Sequence, residues 1–113
     1  MEAASTLAPA AMPQHMQALA HANRVRLARA SLKRAIATGA VDAAEIVREC
    51  PWEAESMSIG ELLRSQRRWG RTRARKFLFS IAVNENRELN RLTSRQRELL
   101  AAELEAKRPL YAS

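Results

Sequence analysis

The residues with the clearest chemical potential form a dense run of cations between positions 64 and 76. The run contains no acid, and six of its seven basic residues are arginine: Arg64, Arg67, Arg68, Arg71, Arg73, Arg75 and Lys76. A guanidinium is a planar donor that pairs with phosphate oxygens through two parallel hydrogen bonds. Because such a run is typical of nucleic-acid-binding surfaces, it predicts a site for phosphate. The plainer alternative is a solvated face that only keeps the chain soluble.

A glycine lies near the centre of this run, in the turn 69–74 (Trp-Gly-Arg-Thr-Arg-Ala). Glycine can take a positive φ, and it lets a ligand approach the main chain closely. The next amides should open a helix, whose N-terminal end carries free N–H donors and a positive dipole. The turn therefore predicts a site that holds phosphate with backbone amides, the alternative being an ordinary glycine turn between helices. Its expected members are Arg67, Arg68, Trp69, Gly70, Arg71, Thr72, Arg73 and Lys76.

A second basic turn precedes the last predicted helix. Arg95 and Arg97 fall in the first turn of that helix, where a cation opposes the dipole at a cost of about 0.3–1 kcal/mol unless an anion binds there. This placement predicts that a phosphate binds at that helix end. The alternative is that these arginines pair with Glu88 or Glu98. The predicted members of this second site are Arg87, Arg91, Thr93, Ser94, Arg95 and Arg97.

A candidate secondary contact lies on the first predicted helix. Arg26, Arg29 and Lys33 share one of its faces by helical spacing, and a solvated helix face is an equally good explanation of them.

The sequence does not indicate catalysis or a metal. His15 and His21 are six residues apart, whereas a metal-binding pair on one helix face needs a spacing of four. Cys50 has no histidine beside it and is expected to be a small core residue. The sequence has no phosphate-binding glycine-rich loop, no dinucleotide fingerprint and no carboxylate pair in an apolar setting. We therefore expect no enzyme activity, no cofactor, no metal and no small-molecule substrate.

The elements that position these residues are predicted to be helices, because helical periodicity and capping signals recur along the chain. We find no strand signal, so the predicted fold is all-α. A long N-terminal helix is expected over 14–37, followed by a small helical domain over 38–108, between a disordered tail (1–13) and a C-terminal tail (109–113). Within the domain the expected helices are a short one from Asp42 to Cys50-Pro51 and then 58–66, 72–82 and 94–107.

The apolar residues of these helices predict the core. Ser58 and Ser94 are the expected N-caps of the third and last helices, and Trp52 is expected to pack back onto the core. The other expected core positions are Ile46, Val47, Ile59, Leu62, Leu63, Ala74, Phe77, Leu78, Ile81, Leu89, Leu92, Leu99, Leu100 and Leu104.

The excess positive charge of the chain lies in its second half, which contains both predicted basic turns. The 113-residue chain has a net charge of +7, with six basic and six acidic residues in 1–56 but thirteen basic and six acidic residues in 57–113. No apolar run is long enough to cross a bilayer, and the N-terminus lacks the basic start of a signal peptide. The lone cysteine forms no internal disulfide, which fits a reducing cytoplasm. We expect a cytoplasmic protein with no membrane partner.

Residues from about 16 to 107 resemble the actinobacterial integration host factor family. The matching stretches are 32–34 (Leu-Lys-Arg), 57–63 (Met-Ser-Ile-Gly-Glu-Leu-Leu), 69–74 (Trp-Gly-Arg-Thr-Arg-Ala) and 92–97 (Leu-Thr-Ser-Arg-Gln-Arg). The resemblance implies a helix–two-turns–helix fold and a nucleoid-associated protein that binds double-stranded DNA with little sequence preference. It further implies an influence on DNA bending or supercoiling, without a cofactor, and we expect a monomer located on the nucleoid.

The chain departs from that family in its second turn. Relatives usually carry a glycine-rich turn before the Arg-Gln-Arg, where this chain has Arg91-Leu92-Thr93, and they often have an arginine cluster where this chain has Arg87-Glu88-Leu89-Asn90. The first turn is richer in arginine than is common, so we expect most of the binding at 67–76. Two other classes stay open: an RNA- or ribosome-associated protein, and a protein-interaction adaptor that uses the electrically neutral first half.

Overall fold

The computed structural model describes residues 13–107, and it is helical with no extended strand in that range. Its α-helices are α1 (Gln14–Thr38), α2 (Ala43–Glu49), α3 (Ile59–Arg64), α4 (Arg71–Ser80) and α5 (Ser94–Ala106). Two 3₁₀ turns, Trp52–Ala54 and Leu89–Arg91, lie in the connections. The predicted all-α class, with a long first helix and a small helical domain, is confirmed. The two predicted tails lie outside the described residues, except for Pro13.

The long helix α1 is anchored by its C-terminal part. Leu32 and Ile36 are buried there, and Gly39 ends the helix in a left-handed conformation with φ 84°. Met16, Leu19 and Leu27 on the N-terminal part are exposed to 43%, 57% and 71%. Within residues 13–107 the first half of α1 therefore extends from the domain. None of the described helices is both long and apolar enough to span a membrane.

The core lies where α2 packs against α5 and α3 packs against α4. Its fully buried large side chains are Val47, Met57, Ile59, Leu62, Leu63, Leu78, Leu89 and Leu100, most of which the periodicity predicts. The prediction that Trp52 and Leu99 belong to the core was wrong, since Trp52 is 51% exposed and Leu99 is 45% exposed. Ala54 occupies the inner side of the 52–54 turn, and on α5 the packing face runs through Leu100, Ala101 and Leu104.

Residues 55–60 run beside residues 85–90 and hold the second turn against the start of α3. The Ile59 amide donates to the Arg87 carbonyl at 2.8 Å, and the Leu89 amide donates to the Met57 carbonyl at 3.0 Å. Gly60 donates to the Glu85 carbonyl at 2.9 Å, and a Cβ on Gly60 would lie 2.9 Å from that same oxygen. Only glycine fits this approach, so Gly60 sets how closely the two segments lie. The pairing includes one isolated antiparallel bridge, Ser58 with Glu88, which periodicity did not predict.

The helix boundaries differ from the prediction in three places. Thr93, and not Ser94, is the N-cap of α5, and Ser94 is its first helical residue. Helix α3 ends at Arg64 and α4 spans Arg71–Ser80, so the connection between them is longer than expected. Ser58 caps α3 as predicted, with its hydroxyl accepting from the Glu61 amide at 3.1 Å.

Candidate nucleic-acid interface

The first turn, residues 65–70, reverses the chain between α3 and α4. Gly70 does not use the positive φ that a glycine permits: its φ is −91° and its ψ is −174°, an ordinary extended conformation. The left-handed residue of this turn is Arg68, with φ 71°. Gly70 is therefore not needed for backbone conformation, and what distinguishes it is the missing side chain.

Helix α4 begins without a side-chain cap. Gly70 is its N-cap and supplies no acceptor, and the first amide to pair is that of Ala74, which donates to the Gly70 carbonyl at 3.1 Å. The amides of Arg71, Thr72 and Arg73 have no acceptor in the described part of the chain. A Cβ placed on Gly70 would meet nothing within 4 Å, so this helix end faces open space. Free N–H groups and the positive end of the helix dipole together favour an anion here.

A groove of about 690 Å³ lies directly in front of this helix end, and we call it the first-turn groove. It is lined by Trp69, Gly70, Arg71, Thr72, Arg73, Lys76, Phe77 and Lys107. The structure thus brings together most of the predicted first site, while Arg67 and Arg68 are exposed beside it. Lys107, at the far end of α5, was missed by the sequence analysis, because its spacing from the first turn gives no local signal.

Aromatic contacts fix the position of Arg73 in this groove. Its guanidinium carbon lies 4.2 Å from the centroid of the Trp69 ring, and the Trp69 ring meets Phe77 edge-on at 5.4 Å with an interplanar angle of 83°. Phe77 is buried in the core, so the stack extends from the core to the surface. A cation held over an aromatic face is stabilised without a carboxylate, which leaves its charge available for a phosphate.

The seven cations of the run divide into two groups. Arg64 and Arg75 both face Glu85, at 3.7 Å and 2.8 Å, and this cluster ties α3 and α4 to the second turn. The other five have no carboxylate partner within residues 13–107: Arg67, Arg68, Arg71, Arg73 and Lys76. The excess positive charge is therefore concentrated around the open start of α4.

The second turn, residues 81–93, caps the helix that follows it, although the Ser94 and Arg95 amides have no acceptor in the described part of the chain. The Gln96 amide donates to the Thr93 hydroxyl at 3.1 Å, and the Thr93 amide donates to the Gln96 side-chain oxygen at 2.9 Å, a reciprocal capping box. The Arg97 guanidinium turns inward and donates to the Leu89 carbonyl at 3.3 Å. Arg91 lies 3.9 Å from Glu88 and forms an ion pair within the turn.

The remaining predicted residues of the second turn lie on the surface. Arg87, Ser94 and Arg95 are exposed. Glu98 does not neutralise them, because it pairs with Arg48 of α2 at 3.0 Å. The second site thus keeps two exposed arginines without a carboxylate partner in the described range, Arg87 and Arg95.

The two turns are joined by a continuous surface. A second groove, of about 510 Å³, shares Lys76 with the first-turn groove and is lined by Arg75, Lys76, Leu78, Phe79, Val83, Asn84, Glu85 and Asn86. A third, of about 440 Å³, shares Asn84 and Asn86 with the second and includes Arg87, Glu88 and Arg91. We call this surface, from Trp69 to Arg91, the basic band. Phe79, Asn84 and Asn86 were missed by the sequence analysis, although Phe79 already lies off the apolar face predicted for its helix.

Two of the three cations predicted to share a face of α1 contact the domain. Arg29 donates to the Ser56 hydroxyl, and Lys33 forms an ion pair with Glu61, so both hold α1 against the domain. Arg26 is exposed and donates to the Asn23 side-chain oxygen at 2.7 Å. A contact between this part of α1 and DNA stays a prediction that rests mainly on Arg26.

The structure offers little for metal binding or thiol chemistry in the described range. Within residues 13–107 no cluster of three or more histidine, cysteine or acidic side chains could hold a metal ion. Cys50 ends α2 in a left-handed conformation with φ 47° and packs against the core. Burial raises the pKa of its thiol, which keeps it in the unreactive protonated form.

Comparisons with known proteins bear on the fold. No family model matches the chain, and no curated protein matches its sequence. Among solved structures, the chain is similar to that of sIHF bound to an 8-bp palindromic DNA, with a TM-score of 0.68 and 23% sequence identity. The match covers 74% of this chain and 97% of the other. The described helices therefore adopt an integration host factor-like fold.

Proposed function

We propose that this protein binds double-stranded DNA by its sugar–phosphate backbone, with little sequence preference and without catalysing a reaction. The observation that carries the proposal is the uncapped start of α4, which opens onto the first-turn groove among five cations that have no carboxylate partner in the described chain. An unpaired helix N-terminus surrounded by arginines has the chemistry of a phosphate site.

The groove supplies three kinds of phosphate contact. The amides of Arg71, Thr72 and Arg73 would donate to phosphate oxygens at the start of α4, and the guanidiniums of Arg71 and Arg73 would neutralise the charge. Lys76 and Lys107 border the same groove and would meet neighbouring phosphates. Contacts of this type position a protein on DNA but carry no sequence information, which is why we expect weak sequence preference.

The fold and the charge pattern support the same class of function. The similar structure, sIHF, is bound to an 8-bp palindromic DNA, and the described helices share its fold. We propose accordingly that the protein is a nucleoid-associated factor of the actinobacterial integration host factor type, a cytoplasmic monomer that acts on the path of DNA. The acids at the interface are engaged with arginines, so they add little repulsion toward phosphate.

A salt titration with unrelated duplexes of equal length tests the proposal. If about three to six phosphates are neutralised, the logarithm of the binding constant should fall with the logarithm of salt at a slope of roughly −3 to −5. Fluorescence anisotropy at five salt concentrations gives this slope. A flat response, or a hundredfold preference for one sequence, would contradict backbone binding. Duplex RNA of the same length is the competitor that separates the classes, and displacement of DNA at lower RNA concentrations would favour an RNA-binding protein.

A further inference from the structure

Phe79 is the most exposed large apolar residue among those described. It is 88% exposed, whereas Phe77, two residues earlier on the same helix, is 6% exposed and lies in the core. Phe79 is seven residues after Thr72 and three after Lys76, so it continues the outward face of α4 that starts at the open helix end. A partner that covers this ring on a basic helix face would have to offer both negative charge and an apolar or aromatic surface.

The ring lies in the middle of the basic band. The first-turn groove borders it through Lys76, and Arg87 and Arg91 follow on the other side, beyond Asn84 and Asn86. Helix α4 rises about 1.5 Å per residue, so Phe79 is about 13 Å along the axis from Gly70. Phosphates held at the start of α4 and at Arg87 would therefore lie on either side of Phe79, as two backbones lie on either side of a groove of duplex DNA.

Two asparagines line the same groove as the ring and offer amide donors. The Asn84 side-chain oxygen accepts from the Asn86 amide at 2.8 Å, which fixes the orientation of Asn84. The side-chain amide nitrogens of Asn84 and Asn86 donate no hydrogen bond within the described residues, and both residues are exposed. The minor-groove edge of an A·T pair presents only acceptors, to which such amides can donate.

We infer that Phe79 is a wedge that enters the minor groove and partly unstacks a base step, with Asn84 and Asn86 donating to the base edges beside it. This inference rests on the proposed function and adds to it a mechanism for bending DNA. Proteins that combine minor-groove amide donors with an inserted apolar side chain partly unstack a base step and kink the duplex by about 20–90°. Phosphate contacts on both sides of the ring would offset the lost base stacking, because more of these contacts form once the duplex bends around the basic band.

The charge around Phe79 favours DNA over a second copy of this chain. Arg75 and Lys76 flank the ring, and Glu85 is already engaged by Arg64 and Arg75. Two copies docked through this face would bring like charges together, which is unfavourable in a partly desolvated contact. A polyanion meets the same face with complementary charge.

The test uses short A·T-rich duplexes that each carry one 2-aminopurine at a different position, together with duplexes labelled at both ends for energy transfer. The full chain, Phe79→Ala and Phe79→Leu are compared at saturating protein. We expect the parent to raise 2-aminopurine fluorescence severalfold at one or two positions and to shorten the end-to-end distance. Phe79→Ala should lose both signals, and Phe79→Leu should keep part of them because leucine can also insert. Leu99→Ala, which removes an exposed apolar side chain of α5 outside the band, is the matched control and should behave like the parent.

The result also separates this inference from the function on which it rests. Phe79→Ala changes no charge, so the slope of affinity against salt should stay as in the parent, while affinity falls by less than about tenfold. Binding by the parent with no fluorescence change, or signals unaltered by Phe79→Ala, would overturn the wedge and leave backbone binding intact. Absence of any DNA binding by the parent would overturn both. If Phe79→Ala instead converts a dimer into a monomer in sedimentation while the DNA signals stay unchanged, the face is a protein contact and the wedge is wrong.

Discussion

The two turns of this protein contain similar residues but differ in what they leave unpaired. Each leads into a helix whose first residues include two arginines, Arg71 and Arg73 in α4 and Arg95 and Arg97 in α5. At the first turn the cap is Gly70, and three amides remain without an acceptor in the described chain. At the second turn the cap is Thr93, whose capping box satisfies the Gln96 amide and its own, so that only the Ser94 and Arg95 amides remain without an acceptor in the described chain.

The difference shows that arginine content alone does not define a phosphate site. Arg73 is held over the Trp69 ring and has no carboxylate partner in the described chain, whereas Arg97 donates a hydrogen bond to the Leu89 carbonyl inside the domain. The first turn thus leaves its third helix amide and its two helix arginines available, whereas the second turn caps that amide and directs Arg97 into the fold. We expect the first turn to dominate affinity, with the second turn adding weaker contacts at its exposed arginines.

The largest effect should come from removing the cations of the first turn. Arg71→Ala combined with Arg73→Ala should weaken duplex binding by about a hundredfold, because two charge-assisted contacts are lost at about 1.4 kcal/mol each. The salt slope should become shallower by about two. Anisotropy titrations across a salt series measure both quantities.

The matched variant removes two exposed arginines from the second turn. Arg87→Ala combined with Arg95→Ala deletes the same charge, yet we expect a loss of about tenfold or less. Equal losses of DNA affinity in the two double variants would show that binding follows total charge. The difference between the uncapped start of α4 and the capped start of α5 would then have no functional meaning.

Exchanging the caps tests the same comparison without changing any charge. Gly70→Thr places an acceptor over the first amides of α4, and the φ of −91° and the empty space around Gly70 accept the side chain. The helix should gain a few tenths of a kcal/mol, while DNA affinity should fall by about tenfold because the amides are capped and the approach is narrowed. Thermal unfolding and anisotropy titration give the two quantities.

The reciprocal exchange is Thr93→Gly, which opens the start of α5. It should cost a few tenths of a kcal/mol of stability and leave DNA affinity equal or slightly higher. If Gly70→Thr binds as well as the parent at unchanged stability, the amides at the start of α4 do not hold phosphate.

The smallest expected effect is a difference in the free energy of unfolding between single substitutions of Arg95 and Arg97. Arg97→Ala removes the hydrogen bond to the buried Leu89 segment and should lower the free energy of unfolding by about 1 kcal/mol. Arg95 is exposed and opposes the helix dipole, so Arg95→Ala should leave stability unchanged or slightly raised. Denaturant unfolding followed by circular dichroism distinguishes the two, and a larger loss for Arg95→Ala than for Arg97→Ala would contradict the inward role of Arg97.

Much of the fold could be predicted because its signals are local. The apolar spacing of Ile59, Leu62 and Leu63, the cap at Ser58 and the stop at Cys50-Pro51 each act within one or two helical turns. One error was also local: the cap of α5 was placed at Ser94 instead of Thr93, because either hydroxyl can cap a helix. Which one does so depends on where the preceding chain is held, and residue type alone does not specify that.

The sequence by itself determined that this chain is helical, that its charge is concentrated in its second half and that glycine opens one arginine-rich helix. Those properties follow from residue type and short-range spacing. Only the tertiary structure decided which of these cations are free, because Arg75 meets Glu85 across the second turn and Lys107 reaches the first-turn groove from the end of α5. The place of Phe79 between two basic clusters was decided in the same way, since it depends on how α4 packs against segments that are distant in sequence, which residue type and local spacing do not specify.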